Sequence, residues 1–290
     1  MVANQNASGI HARALLVWLR ISTWSARKYD KRESAELNQR RNASADAARV
    51  NKLLLPGDAK AYKAMIAIAG AIRTQHYANT LAWSDEGWRL LPTANYATYT
   101  GWLRDRQREF NDALDEFAAD YPTLRALAAT LLNGMYRDED YPPVRDIRSK
   151  FALAVEYAPV PAQGDVRVDL GADQIALIES AIGDRLQRAT ADAMADAWSR
   201  LHDVVSKIAE RLSQPEAIFR DSLISNAEEV CDVLQRLNVT NDPNLESMRV
   251  RVRRELTRYT PELLRDKRDR RQETADRAND ILETMKGLFS

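Results

Sequence analysis

Residues 175–212 read IALIESAIGDRLQRATADAMADAWSRLHDVVSKIAERL, with apolar side chains at steps of three and four and no proline. That spacing predicts one amphipathic helix, about 55 Å long if unbroken. Its middle, residues 189–197, is rich in alanine, which lets a neighbouring backbone approach closely. The stripe predicts a helical bundle, or a coiled coil between subunits.

Further helices are marked by their ends. Asp242 and Thr260 each precede a proline, and this pairing suits an N-cap followed by a first-turn proline. The pattern predicts helices over residues 244–259 and 262–288. Apolar spacing earlier in the chain predicts additional helices, including one over residues 33–55.

The last predicted helix is unusual because residues 265–274, RDKRDRRQET, offer no large apolar side chain on any face. We expect this part to be solvated or to contact charged groups. Apolar residues return at the tip, so the segment predicts an arm that docks on another subunit or folds back on its own chain. The expected subunit contacts are Ala189, Ala193, Ala197, Leu201, Ile281, Leu282, Met285 and Phe289.

Two stretches have β character. Residues 151–170 alternate apolar and polar side chains on both sides of a turn, which predicts a β-hairpin. Residues 15–24 favour a third strand, although their spacing also suits a helix. The expected fold is mainly α (α+β), a long-helix bundle or coiled coil with a small β-hairpin or three-stranded sheet. We expect a mixed domain over residues 1–170 and a helical bundle with a C-terminal arm over residues 171–290.

The chain is neutral as a whole, but its charges are segregated. Residues 1–52 carry 10 basic against 4 acidic side chains, and residues 248–290 carry 12 against 8. Residues 151–247, in contrast, carry 8 basic against 17 acidic side chains. The basic ends are therefore expected to bind a polyanion or to pair with the acidic part, possibilities that the sequence leaves open.

Composition and motifs limit the class of protein. With 290 residues, 45% of them hydrophobic, the chain is long enough for one large or two modest cores. It has no apolar run long enough to cross a membrane and no recognisable secretion signal, so we expect a cytoplasmic protein. The single cysteine, Cys231, lies in a helical apolar stripe and is expected to be a buried thiol.

The basic ends contain the candidate nucleic-acid contacts. In the first set few acids intervene, and in the second the arginines share a helical face, so both could follow phosphates. The alternative is a solvated surface held by salt bridges. The candidate residues are Arg27, Lys28, Lys31, Arg32, Arg40 and Arg41 in the first set, and Arg251, Arg254 and Arg258 in the second.

Aromatic and acidic clusters supply weaker candidates. Trp24, Trp83 and Trp88 lie close to arginines and could stack on unpaired bases, or they could pack a core. The acids of residues 138–140 could hold Mg²⁺ for a nuclease, but adjacent carboxylates diverge, and a solvated turn is the simpler interpretation. The three histidines form no ligand set and no phosphate-binding loop occurs, so we expect no metal and no cofactor.

Several stretches resemble an uncharacterised domain family of tailed phages and integrative mobile elements. They are LRISTWSARK (residues 19–28), NKLLLP (51–56), LAWSDEGWRLLP (81–92) and the predicted hairpin over residues 159–170. The resemblance implies a gene context near recombination functions or AAA+ ATPases of the MoxR type, and hence DNA or such an ATPase as a partner. It carries over no catalytic residues.

Together these features predict a non-enzymatic phage or mobile-element accessory protein. It would form a homo-oligomer through its long helices and take part in DNA transactions. Direct binding of single-stranded or duplex DNA is the first alternative, and a metal-dependent nuclease is the second.

Overall fold

The computed structural model describes residues 9–84, 87–162, 164, 166, 168–214 and 216–288. These residues form long helices, a four-stranded antiparallel sheet and a separate two-stranded sheet, which confirms the predicted fold class. The helices are α1 (Ile10–Arg13), α2 (Lys31–Arg40), α3 (Lys60–Ala78), α4 (Thr93–Leu132), α5 (Ala172–Ser213), α6 (Ser222–Leu237), α7 (Pro243–Leu256), α8 (Pro261–Asp266) and α9 (Arg268–Leu288). The strands are β1 (Ala14–Ser22), β2 (Arg27–Asp30), β3 (Val50–Leu53), β4 (Leu81–Ala82), β5 (Trp88–Pro92) and β6 (Ala152–Pro159). Within the described ranges, no helix is both long and apolar enough to cross a bilayer.

The chain forms two compact units, and they differ from the division expected at residue 170. The bundle unit comprises Met1–Trp18, His76–Thr100 and Glu156–Ser290. The hairpin unit comprises Leu19–Gln75 and Gly101–Val155. The bundle unit includes the first strands because apolar residues from β1, β4 and β5 are buried in the same core as α5 to α9.

The core of the bundle unit is centred on α5, whose predicted extent is confirmed. Its alanines Ala193 and Ala197 are fully buried, and so are Ile281 and Met285 of α9. The predicted caps of the neighbouring helices are also confirmed, because the Asp242 carboxylate accepts from the Asn244 amide at 2.8 Å. Small side chains on α5 thus allow α9 to lie close along it, within one chain.

Most of the polar segment before the C-terminal tip is exposed, as expected, but Arg271 and Thr274 are buried. The predicted single helix is divided at Lys267, and Arg271 of α9 is only 8% exposed. Its guanidinium donates to the carbonyls of Leu212 at 3.2 Å and of Ala217 at 2.8 Å, beside the C-terminal end of α5. A basic side chain can therefore be buried here because it satisfies carbonyls that the end of a helix leaves without partners.

The sheet confirms one prediction and corrects another. Residues 15–24 do form a strand over most of their length, β1, which pairs antiparallel with β5. The first half of the hairpin predicted over residues 151–170 is β6, but residues 164, 166 and 168–170 form no second strand. The order β4-β5-β1-β6 gives the reason, since β6 pairs with the distant β1 instead of a local partner. Residues 163, 165 and 167 lie outside the described residues.

The hairpin unit has a second core, formed mainly by α3 and α4. Phe117 and Tyr121 of α4 are fully buried and share this core with Met65 and Ile72 of α3. The helix predicted over residues 33–55 is wrong beyond Arg40, because β3 follows α2 after a loop and pairs antiparallel with β2. The resulting β2-α2-β3 segment carries the first basic set.

Candidate nucleic-acid interface

Two polar side chains join the strands of the β2-α2-β3 segment to its helix. Asp30 caps α2, since its carboxylate accepts from the Glu33 amide at 3.1 Å. The Ser34 hydroxyl donates to the Asp30 carbonyl at 2.6 Å and accepts from the Val50 amide at 2.9 Å. These contacts hold β3 beside the first turn of α2, although residues 31–49 lie between β2 and β3 in sequence.

The loop between α2 and β3 is ordered by one amide. The Asn38 side chain donates to the carbonyls of Ala45 at 2.7 Å and Ala48 at 3.1 Å. Asn42 adopts a left-handed backbone with φ of 50°, a conformation that asparagine tolerates better than most residues. The loop therefore has a defined path that brings Arg49 back to the sheet.

A buried ion triad fixes the rear of the two-stranded sheet. The Lys52 side chain is 3% exposed, and its ammonium lies 2.6 Å from the Asp140 carboxylate and 3.4 Å from that of Asp30. It also donates to the Met135 carbonyl at 2.8 Å. The pKa of Asp30 is lowered, first by the Glu33 amide and then by Lys52, against the opposing effect of burial. The triad thus joins the sheet to the turn Asp138–Asp140.

An open cavity of about 420 Å³ lies beside this triad. Lys28, Lys31 and Arg32 at its border are exposed and, in the part of the chain that the structure describes, make no ion pair. Arg27, on strand β2, is also exposed and makes no ion pair with any described residue. The cavity is lined by Lys28, Tyr29, Asp30, Lys31, Arg32, Lys52, Arg137, Glu139 and Asp140.

The rest of the first basic set is exposed but differs in pairing. Arg40 pairs with Glu36 at 3.0 Å on the surface of α2. Arg41, directly after the helix, is exposed, and its side chain has no ion pair among the described residues. The unpaired positive charges therefore gather on β2 and on the first turn of α2, and Arg41 adds one at the end of the helix.

Two of the three arginines of the second basic set are paired with acids in their own unit. Arg251 pairs with Asp280 and lies 3.4 Å from Glu255, while Arg254 lies 2.7 Å from Glu255. Arg258 is exposed and stacks over the Tyr259 ring at 5.3 Å. A surface held by salt bridges, the alternative given for these arginines, accounts for Arg251 and Arg254. Their partners lie within residues 248–290 and not in the acidic part over residues 151–247.

The acids proposed for Mg²⁺ each have a different partner. Asp138 lies 2.5 Å from the Arg125 guanidinium, and Asp140 pairs with Lys52. Glu139 is 3.9 Å from Arg137. Over the described residues, no three acidic, histidine or cysteine side chains are grouped as metal ligands.

The three tryptophans proposed for base stacking pack against protein. The Trp24 ring meets that of Tyr121 edge-on at 5.7 Å, and Trp88 contacts Trp18 at 5.5 Å. Trp83 is buried in the core of the bundle unit. These contacts agree with the alternative interpretation of the three tryptophans, which is that they pack against other side chains of the protein.

The residues expected to contact another subunit instead contact other parts of the same chain. The four α5 positions, Ile281 and Met285 are buried in the core of the bundle unit, and Leu282 packs against it. The arm therefore folds back on its own chain, and the surface expected to meet another subunit is covered by α9. Phe289 lies outside the described residues.

Sequence reasoning missed Tyr29, an exposed aromatic residue among the unpaired cations. Its ring is 39% exposed and lies 5.6 Å from the Arg49 guanidinium. The sequence feature that could have pointed to it is the run RKYD at residues 27–30, which combines basic and aromatic side chains. A run of four residues is too short to show which of its side chains share one face of a strand.

Comparison with known proteins gives no match: no family model, no curated protein and no solved structure is similar to this chain.

Proposed function

We propose that this chain is a non-enzymatic nucleic-acid-binding protein that contacts phosphates through the basic surface of the hairpin unit. We define this surface as Arg27, Lys28, Lys31 and Arg32. The observation that carries the proposal is the difference between the two basic sets. Arg251 and Arg254 are paired with acids, whereas the basic surface has no such partners among the described residues.

The local charge supports a polyanion as the ligand. Residues 27–53 contain eight basic and four acidic side chains, although the whole chain is neutral. Two of these acids are already engaged, because Asp30 pairs with Lys52 and Glu36 with Arg40. Exposed cations without partners attract phosphates and release counterions when they bind them, which favours association.

Nucleic-acid binding is also favoured over the two other predicted functions, self-assembly and metal-dependent cleavage. Self-assembly through the long helices is less favoured because, among the described residues, its expected contacts are buried in the core of the bundle unit or, for Leu282, packed against it. Cleavage by metal ions would need carboxylates that converge, and Asp138 and Asp140 are each held by a different cation.

The test compares two variants that remove equal charge. One carries Lys28→Gln, Lys31→Gln and Arg32→Gln. The other carries Arg253→Gln, Arg254→Gln and Arg258→Gln, which are exposed positions on α7 or just after it. We expect the first variant to lose most of its affinity for a labelled DNA strand and the second to retain it. Equal loss in both would mean that net charge alone governs binding, and no binding by the wild type would reject the proposal.

A further inference from the structure

The two-stranded sheet of the hairpin unit has one buried face and one open face. In an antiparallel pair, residues directly opposite each other point to the same side. The register places Arg27 opposite Leu53 and Tyr29 opposite Asn51, and all four are exposed. Lys52, which is buried, and Lys28, which is exposed, belong to the opposite side. We call Arg27, Tyr29, Asn51 and Leu53 the open face.

The open face combines four kinds of group that can contact an unpaired nucleotide. Tyr29 supplies an exposed ring, with Arg49 5.6 Å from its centroid. Leu53 is 52% exposed, an unusual degree of exposure for a leucine on a strand. Arg27 and Asn51 add a cation and an amide, and no acidic side chain lies on this face.

We propose that the open face stacks an unpaired base on Tyr29, so that the ligand of this protein is a single-stranded nucleic acid. Flanking phosphates lie against Arg27 on this face and against Lys31 and Arg32 in the first turn of α2, whereas Lys28 lies on the other side of the sheet. A base in a duplex is stacked on its neighbours and hides both of its faces, so the ring of Tyr29 has nothing to contact there. This inference rests on the proposed function and adds the class of ligand to it.

The two kinds of contact in this proposal do not depend on the identity of the base. Aromatic stacking tolerates any base because every base has a π-face, and arginine beside the ring adds a cation–π contribution. Phosphates bind through charge without regard to sequence. The open face and the basic surface together therefore bind a short stretch of unpaired strand with little sequence preference.

The test removes the ring and leaves the charges in place. Tyr29→Ala is compared with Tyr29→Trp, which keeps an aromatic face, by fluorescence anisotropy on labelled oligo-dT, oligo-U and a DNA duplex, each about 12 nucleotides long. We expect Tyr29→Ala to weaken single-strand binding about ten-fold and to leave duplex binding unchanged. Tyr29→Trp should retain single-strand affinity. Comparing oligo-dT with oligo-U assigns the unpaired strand to DNA, to RNA or to both.

The chain offers a matched control in the bundle unit. Tyr77 is 52% exposed and has Arg89 stacked over its ring at 4.8 Å, the same pair of groups as Tyr29 and Arg49. It lies outside the basic surface, and Arg89 is itself bound to Thr80 and Asp196. We expect Tyr77→Ala to bind all three oligonucleotides like the wild type.

The inference and the proposed function fail in different ways. If Tyr29→Ala weakens single strand and duplex equally, or neither, stacking is overturned, while loss of binding in the Lys28, Lys31 and Arg32 variant still supports the proposed function. If the wild type binds none of the three oligonucleotides at about 50 mM salt, both are overturned. Competition by polyglutamate as strong as that by oligo-dT would show a general polyanion surface and would also overturn stacking.

Discussion

Lys52 is the cation on which the position of the basic surface depends, and Lys52→Met tests that role. The substitution keeps the aliphatic stem but leaves the Asp30 and Asp140 side chains, each 8% exposed, without their ammonium partner. Removing one partner from a buried ion pair typically costs about 3–5 kcal/mol, because an uncompensated charge stays buried. We therefore expect the free energy of unfolding to fall by about 3–5 kcal/mol near neutral pH.

The assay is urea unfolding followed by tryptophan fluorescence, at neutral and at acidic pH. The loss should shrink below about pH 5, because carboxyl groups that bind a proton no longer need the cation. Lys28 provides the control, since it lies directly opposite Lys52 in the sheet but is exposed. Lys28→Met should change the stability by less than about 0.5 kcal/mol. A Lys52→Met loss below about 1 kcal/mol, or equal losses in both variants, would refute the structural role of the triad.

Three other side chains give predictions for the bundle unit. Burial, aided by Arg89, lowers the pKa of His76 to about 4, so the unfolded chain binds a proton near pH 6.5 when the native one does not. Stability should fall by up to about 3 kcal/mol as pH drops through this window, and His76→Gln should remove that fall in urea titrations. Arg271→Met should cost at least about 2 kcal/mol by thermal unfolding, because buried carbonyls lose their donor, whereas the exposed Arg268→Met should cost almost nothing. Burial raises the pKa of Cys231 to about 11, so a disulfide reagent near pH 8 should label it only after unfolding.

The long helices could be predicted because their signals are local and repeated. In α5 the apolar stripe recurs over ten turns, and the caps at Asp242 and Thr260 lie directly before prolines. Such patterns do not depend on which element packs against them. The fold class and the start of α7 therefore follow from the sequence.

The remaining features depend on partners that are distant in sequence. The strand β6 pairs with β1, more than a hundred residues away, and this pairing replaces the expected local hairpin. Arg271 is buried because the end of α5 offers it carbonyls, which no charge pattern within residues 265–274 reveals.

The candidate site could be predicted only in part, because it too depends on contacts between residues that are distant in sequence. The first basic set is evident, but α2 separates β2 from β3, so the open face around Tyr29 exists only after the two strands pair. The pairing of Arg251 with Asp280 likewise connects two different helices. The sequence alone thus offered two candidate basic sets, and only the contacts in the folded chain distinguish them.

The salt dependence of single-strand binding tests the central claim most directly. We predict that the affinity of the wild type for oligo-dT falls steeply between about 50 and 200 mM salt. In the variant without Lys28, Lys31 and Arg32, the slope of log affinity against log salt should be smaller by about 2, since each phosphate contact on a single strand contributes about 0.7. An unchanged slope in that variant, with a reduced slope after loss of Arg253, Arg254 and Arg258, would contradict the account.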